Sequence, residues 1–274
     1  MLDELEAEGY LPAAVVTAPD KPTGKKKIVT PPPTKIWATE RGIPVLQPEK
    51  LDSDFSDVLR ATFHVPLFVV AAYGKIIPKA ILDIPKHGAL NVHPSLLPKY
   101  RGASPIQSAL LAGDKETGVT IMLMDDKMDH GPIIASESVE IDPGTTYEKL
   151  ESLLARVGGK LLADMIREWI DGNIQEVEQD HSKATFTKKI ITEDGLIDLS
   201  KPIEADRKVR AFNPNPGAYI LLRKNDTPFR VKILSGSIKG DQYVPDRVIP
   251  EGRKETRWKE LMKGAEYQVP GAEK

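Results

Sequence analysis

Asn91 and His93 stand one residue apart at the end of Gly88-Ala-Leu-Asn-Val-His, a run that reads as a short buried strand. Side chains alternate along a strand, so these two share a face and Val92 takes the other. Burying two polar groups on one face is costly unless each finds a partner. A proline-rich loop follows at once, with Pro94, Pro98 and then Arg101-Gly102. In an open α/β sheet, ligands bind in the crevice beyond the carboxyl ends of the strands. An amide donor beside an imidazole in that place suits a developing oxyanion. The plain alternative is a capped strand end with a satisfied histidine, and the Asn-x-His triplet alone fits both.

The elements that must hold this pair alternate in type through the first two-thirds of the chain. Ala13–Thr17 reads as a strand and Pro33–Gly42 as a helix ended by its glycine. An edge segment at Pro44–Leu46 and a helix around Leu51–Ala61 follow. Val65–Ala72 is an unbroken apolar run, as expected of a strand covered on both faces. Ala103–Leu111 reads as helix, Gly118–Met124 and Pro132–Ile141 as strands. Thr145–Asp171 carries Leu150, Leu153, Leu154, Leu161 and Leu162 at helical spacing. This order predicts an α/β fold with a doubly wound, mostly parallel sheet.

From about His181 the pattern changes to short β-type runs broken by Gly, Pro and Asn: Ala218–Leu222, Phe229–Leu234 and Gln242–Val244. The expected organisation is therefore a first domain over 1–175, a linker over 176–190 and a small β domain over 191–274. Residues 182–274 hold 19 basic against 13 acidic residues, whereas the whole chain holds 38 against 40. A basic C-terminal part on an acidic body suits a polyanion, although such a surplus also fits a plain solvated surface.

Composition excludes several classes. With no cysteine there is no disulfide, thiolate zinc site or cysteine nucleophile. No apolar run approaches the roughly 20 residues of a membrane helix, and the acidic start lacks the features of a secretory signal. A cytoplasmic protein without membrane contact is expected. Asp125, Asp126 and Asp129 lack the spacing of a calcium loop, so no metal is expected.

The whole string Asn91–Ile106 resembles the signature of the 10-formyltetrahydrofolate-dependent formyltransferases, whose strand ends Asn-x-His and runs into a Ser-Leu-Leu-Pro loop. The resemblance implies a third catalytic residue, matched here by Asp129 within Met124-Asp-Asp-Lys-Met-Asp-His-Gly131. Val16–Lys27, Ala71–Pro78, Gly118–Met124 and Arg210–Gly217 are similar to the members of that family acting on initiator methionyl-tRNA. A Rossmann-like catalytic domain and a C-terminal OB-like domain are implied. The family's opening strand has no counterpart before Leu2–Glu8, and its loss would leave a gap in the sheet, so either the start is assigned too far downstream or the fold compensates. Between Leu234 and Pro250 the family has about two more strands than this sequence suggests, so a truncated barrel is expected.

The implied reaction moves a formyl group from 10-formyltetrahydrofolate to an amine. Asn91 and His93 would stabilise the oxyanion, with Asp129 keeping His93 charged and oriented. Asp129, His93 or a bound water would take the amine proton. Ser95, Leu96, Leu97 and Pro98 would bring backbone amides and apolar side chains against the folate. Tyr73 and Gly74 would wall the pterin pocket, with core packing the other reading of Tyr73. Lys21, Lys25, Lys26 and Lys27 form a stiffened basic loop suited to phosphates of a tRNA acceptor stem, or else a merely solvated one. His130 stands where the family has a small residue, which implies a pocket rim or a second titrating group. The acceptor implied is methionyl-tRNA and the protein a monomer. Formylation of a small amine (a glycinamide ribonucleotide or an amino-sugar nucleotide) and plain binding of folate or RNA are the other readings.

Overall fold

Prolines open three of the helices. Pro33, Pro105 and Pro202 sit in first turns, where a missing N–H leaves no bond unmade. The computed structural model describes residues 1–23, 27–224 and 227–263. In chain order its elements begin with α1 (Leu2–Ala7), β1 (Val15–Val16), β2 (Lys21–Thr23), β3 (Ile28–Thr30), α2 (Pro33–Glu40) and β4 (Val45–Leu46). Next come α3 (Ser53–Thr62), β5 (Phe68–Val70), α4 (Lys79–Leu82), β6 (Ala89–His93), β7 (Arg101–Gly102) and α5 (Pro105–Ala112). Then follow β8 (Glu116–Leu123), β9 (Ile133–Glu140), α6 (Tyr147–Ile170), β10 (Phe186–Thr187) and α7 (Pro202–Phe212). The last are β11 (Tyr219–Lys224), β12 (Thr227–Lys239), β13 (Gln242–Pro250), β14 (Thr256–Arg257) and α8 (Trp258–Met262).

These residues group into two compact units. One comprises 1–101, 118–138 and 154–185; the other comprises 102–117, 139–153 and 186 onward.

In the first unit β5, β6, β8 and β9 form one sheet in that order, and β1 and β4 form a separate parallel pair. β5 runs parallel to β6, with Val70 opposite Asn91, so both strands end on the same side. β8 joins β6 antiparallel, which sets Thr120 opposite His93. The sheet is therefore mixed, where a mostly parallel one was expected. An apolar run reports that a strand is covered, and a covered strand can run in either direction. Val65–Ala72 was expected to be covered on both faces, yet Val69 is 39% exposed. β5 is an edge of its sheet, and the parallel strands fall into two separate ladders where a gap was expected.

Leu5, Leu90, Ile121, Ile134 and Leu162 make the core of this unit, joining α1, β6, β8, β9 and α6. The 24-residue α6 carries Gly158-Gly159 mid-helix, at a propensity cost of about 1 kcal/mol each. Close packing explains the pair. A Cβ at position 158 would meet Val92 at 2.8 Å, and one at 159 would meet Glu4 at 2.9 Å. The helix lies tight against the strand that bears the Asn-x-His pair.

The second unit is built on β11–β12–β13–β14, an antiparallel sheet in chain order. Ile220, Leu222, Val231, Ile233, Tyr243 and Val248 pack on Ala205 and Val209 of α7. The stretch after Leu234, expected to hold about two strands fewer than the family has, forms the far arms of a long hairpin. β12 runs on to Lys239 and turns at Gly240 (φ 57°) into β13. Serine and glycine there hide the strand pattern, and a register shift between Ile233 and Gly236 breaks its period of two. Asn213 of the Arg-Ala-Phe-Asn-Pro motif donates from Nδ2 to the carbonyls of Val209 and Ile233, both at 2.9 Å, tying the end of α7 to β12.

Candidate active site

β6 delivers Asn91 and His93 to one point, as alternation requires, and the loop after β8 brings Asp129 to meet them. Asn91 Nδ2 donates to Asp129 Oδ1 at 3.4 Å, and His93 Nδ1 lies 3.6 Å from the same oxygen. Asn91 and His93 are buried, at 9% and 4% exposure, so their polar atoms act with little competition from water. Asp129 adopts a left-handed backbone (φ 49°), a conformation that Asp tolerates better than most residues. Gly131 lets its loop close on β8, since a Cβ there would overlap the Leu123 carbonyl.

The other nitrogen of His93 decides the ring's chemistry. Nε2 lies 3.0 Å from the Tyr100 carbonyl oxygen, which can only accept. Nε2 therefore carries the hydrogen, and in the neutral ring Nδ1 is the basic atom facing Asp129. Burial pushes the His93 imidazole below its ordinary value of 6.5, against the opposing pull of Asp129 and the Tyr100 carbonyl. The nearby Arg101 adds to the lowering. The expectation that Asp129 keeps His93 charged is thus corrected: desolvation outweighs the carboxylate.

The Ser95–Pro98 loop is held from inside. Thr120 Oγ1 donates to the Ser95 carbonyl at 2.7 Å and accepts from Leu97 N at 3.0 Å. Ser95 N donates to the His93 carbonyl, and Ser95 Oγ to the Lys99 carbonyl at 2.6 Å. The amides of Ser95 and Leu97, expected to face a ligand, are therefore spent on His93 of β6 and Thr120 of β8. Ser95 and Leu97 are buried, whereas Leu96 and Pro98 keep partial exposure.

Tyr73 and Gly74 follow β5 at the same end of the sheet as His93, because Val70 and Asn91 are in register. Tyr73 Oη is buried and, among the described residues, has no hydrogen-bond partner. Lys21 is exposed on β2 and Lys27 is exposed just before β3. Lys25 and Lys26 lie outside the described residues.

Three groups escaped sequence reasoning: the Tyr100 carbonyl, Thr120, and the buried pair Arg101–Gln179. Thr120 left a faint signal as a hydroxyl inside Val119-Thr-Ile-Met122. Gln179 left none. His130, expected at the rim, donates from Nδ1 to Asp125 Oδ2 at 2.6 Å and stacks on His181 with centroids 4.1 Å apart.

Comparison with known proteins bears on the family and the fold. A model described as formyl transferase matches residues 2–166, and one described as formyl transferase, C-terminal domain, matches 189–245. This chain belongs to the formyl transferase family. A methionyl-tRNA formyltransferase of Chloroflexus aggregans is 47% identical over 81% of this chain and 72% of its own length. One from Bacillus velezensis is 46% identical over 81% and 70%, and one from Myxococcus xanthus 41% identical over 87% and 76%. Among solved structures, a methionyl-tRNA formyltransferase from Clostridium thermocellum aligns with TM-score 0.58 at 18% identity, covering 87% of this chain and 99% of its own. A 4-N formyltransferase from Francisella tularensis aligns with TM-score 0.65 at 18% identity, covering 86% and 94%. At that identity the structural likeness is one of fold, a Rossmann-like formyl transferase domain with a small β domain.

Proposed function

We propose that this formyl transferase moves the formyl group of 10-formyltetrahydrofolate to the amino group of initiator methionyl-tRNA. The observation that carries the reading is the meeting of Asn91, His93 and Asp129 on one carboxylate oxygen, at 3.4 and 3.6 Å. Relatives more than 40% identical, all named methionyl-tRNA formyltransferases, support the choice of acceptor.

The amine nitrogen attacks the formyl carbon, forming the new C–N bond while the carbonyl electrons move to oxygen. An Asn side chain has two N–H donors. One is directed at Asp129, and the other serves the oxyanion. His93 Nδ1 takes the amine proton, and Asp129 stabilises the imidazolium that results. Collapse of the intermediate breaks the bond to N10 of the folate, which receives that proton from Nδ1. Formylmethionyl-tRNA and tetrahydrofolate are the products.

The unpartnered Tyr73 Oη suits a ligand with polar edges, as a pterin has. Gly74 beside it permits close approach. Leu96 and Pro98 offer the apolar contact, with Ser95 and Leu97 shaping their loop. No metal takes part. Lys21, Lys25, Lys26 and Lys27 contact acceptor-stem phosphates. Residues 1–175 act as the catalytic domain, 176–190 as a linker and 191–274 as the OB-like domain. Among the described residues no helix is long and apolar enough to cross a membrane. The protein works as a cytoplasmic monomer.

The test is incubation with 10-formyltetrahydrofolate and charged initiator tRNA, with glycinamide ribonucleotide and amino-sugar nucleotides in parallel. Formyl on methionyl-tRNA is the expected product. Transfer to a small amine alone overturns the acceptor, and no transfer by folded protein overturns the enzymatic reading.

A further inference from the structure

We propose that Gln179, backed by Arg101, is a positioning residue that sets the Asp129 carboxylate against His93. This rests on the catalytic reading of Asn91, His93 and Asp129 given above. The loop Asp125–Pro132 has no helix or strand of its own, so no ladder of backbone bonds holds it in place. Gln179 supplies the missing restraint. Its Nε2 donates to the carbonyls of Asp129 at 3.0 Å and Gly131 at 2.7 Å, bracketing the residue whose backbone is left-handed.

The amide is itself held. Its Oε1 accepts from Arg101 Nη2 at 2.6 Å and Nε at 3.2 Å, and both side chains are nearly buried, at 5% and 3% exposure. Arg101 Nη2 also donates to His181 Nδ1 at 2.9 Å. The residue before Arg101 is Tyr100, whose carbonyl holds His93 Nε2. A closed circuit results: His93 to Tyr100 and Arg101, then to Gln179, Asp129 and back to His93 Nδ1. The strand-like segment around Gln179 is registered at both ends. Val177 exchanges backbone bonds with Ile133 at 2.8 and 2.9 Å, and Arg101 N donates to the Thr185 carbonyl at 2.8 Å.

Gln179 lies between the two stretches matched by the family models, so its place in the site comes from the circuit alone. The chemistry also explains why an amide stands here. Asp129 O and Gly131 O demand two donors, and the guanidinium demands an acceptor. Glutamine meets all three demands with one planar group. Glutamate meets only the last, and methionine meets none.

That difference makes the test. In the Gln179→Glu variant Arg101 keeps its acceptor, while both donors to the Asp129 loop are replaced by a carboxylate oxygen that repels the two carbonyls. A thermal unfolding midpoint checks that the fold is kept. The expected result is a kcat about 100-fold lower, as for a misplaced catalytic group, with KM for folate and tRNA unchanged. Gln179→Met, which also leaves Arg101 without this acceptor, should lower kcat at least as far. A readout free of turnover is the titration of the His93 ring by NMR, on which Asp129 and Arg101 act with opposite signs. The His93 midpoint should fall in Gln179→Met, because the carboxylate that raises it has moved away. If Gln179→Glu turns over like the unmodified protein and His93 titrates unchanged, Gln179 serves only to satisfy Arg101, and the proposal is overturned. Absence of formyl transfer by the unmodified protein would instead remove the catalytic reading, whatever the His93 titration shows.

Discussion

His93 Nε2 is tied to the Tyr100 carbonyl oxygen at 3.0 Å, and this contact leaves the opposite nitrogen, Nδ1, as the basic atom of the neutral ring. A ring held this way is poised as a base, with its free Nδ1 turned to Asp129. Its depressed pKa keeps it unprotonated under ordinary conditions.

The pH dependence follows with a definite sign. The base form of His93 exists above its pKa, which burial has moved below 6.5. kcat should therefore rise on an acid limb lying below 6.5 and stay level above it. Asp129→Asn removes the charge that raises the pKa, so the limb should move further down while the rate falls. A limb at or above 6.5 in the pH–rate profile would contradict this assignment.

On the proposed mechanism, Asn91→Ala removes the donor that serves the oxyanion. The expected loss is about 10²- to 10³-fold in kcat, with KM for the folate little changed. Steady-state kinetics measure both, and a loss confined to KM would assign Asn91 to ground-state binding.

Thr120→Val keeps the shape of a buried side chain but deletes both bonds to the Ser95–Pro98 loop. The orphaned Leu97 amide and Ser95 carbonyl should cost about 1–3 kcal/mol of stability, read from a urea unfolding midpoint. The KM for folate should rise as the loop loosens. Unchanged stability would show that the loop is held by packing alone.

Replacing Lys21, Lys25, Lys26 and Lys27 with glutamine should raise the KM for tRNA and flatten its dependence on salt, since fewer counterions are released. The KM for folate should not change. Equal salt slopes for both proteins would assign these lysines to an ordinary solvated loop.

His130→Thr should leave the pH profile of kcat in place. The ring is engaged by Asp125 and stacked on His181, apart from the oxygen where Asn91 and His93 meet. A shifted profile would bring His130 into the mechanism.

What the sequence by itself determined is local. Alternation along β6 requires Asn91 and His93 to share a face, whatever surrounds the strand. Proline positions and apolar spacing place α2, α3, α5 and α6, and the break in period near His181 announces β11–β14, while α7 within that part went unread. Tertiary structure decided what depends on residues far apart in the chain. The direction of β8, the exposure of Val69 and the run of β12 to Lys239 follow from pairing partners that no short window contains. The charge state of His93 reversed the sequence-based expectation, because an adjacent carboxylate is written in the sequence while desolvation is set by the packed fold. Gln179 shows the same limit most plainly. A glutamine after a helix has no local mark of function, and only folding brings its amide to the two carbonyls that flank Asp129 on its loop.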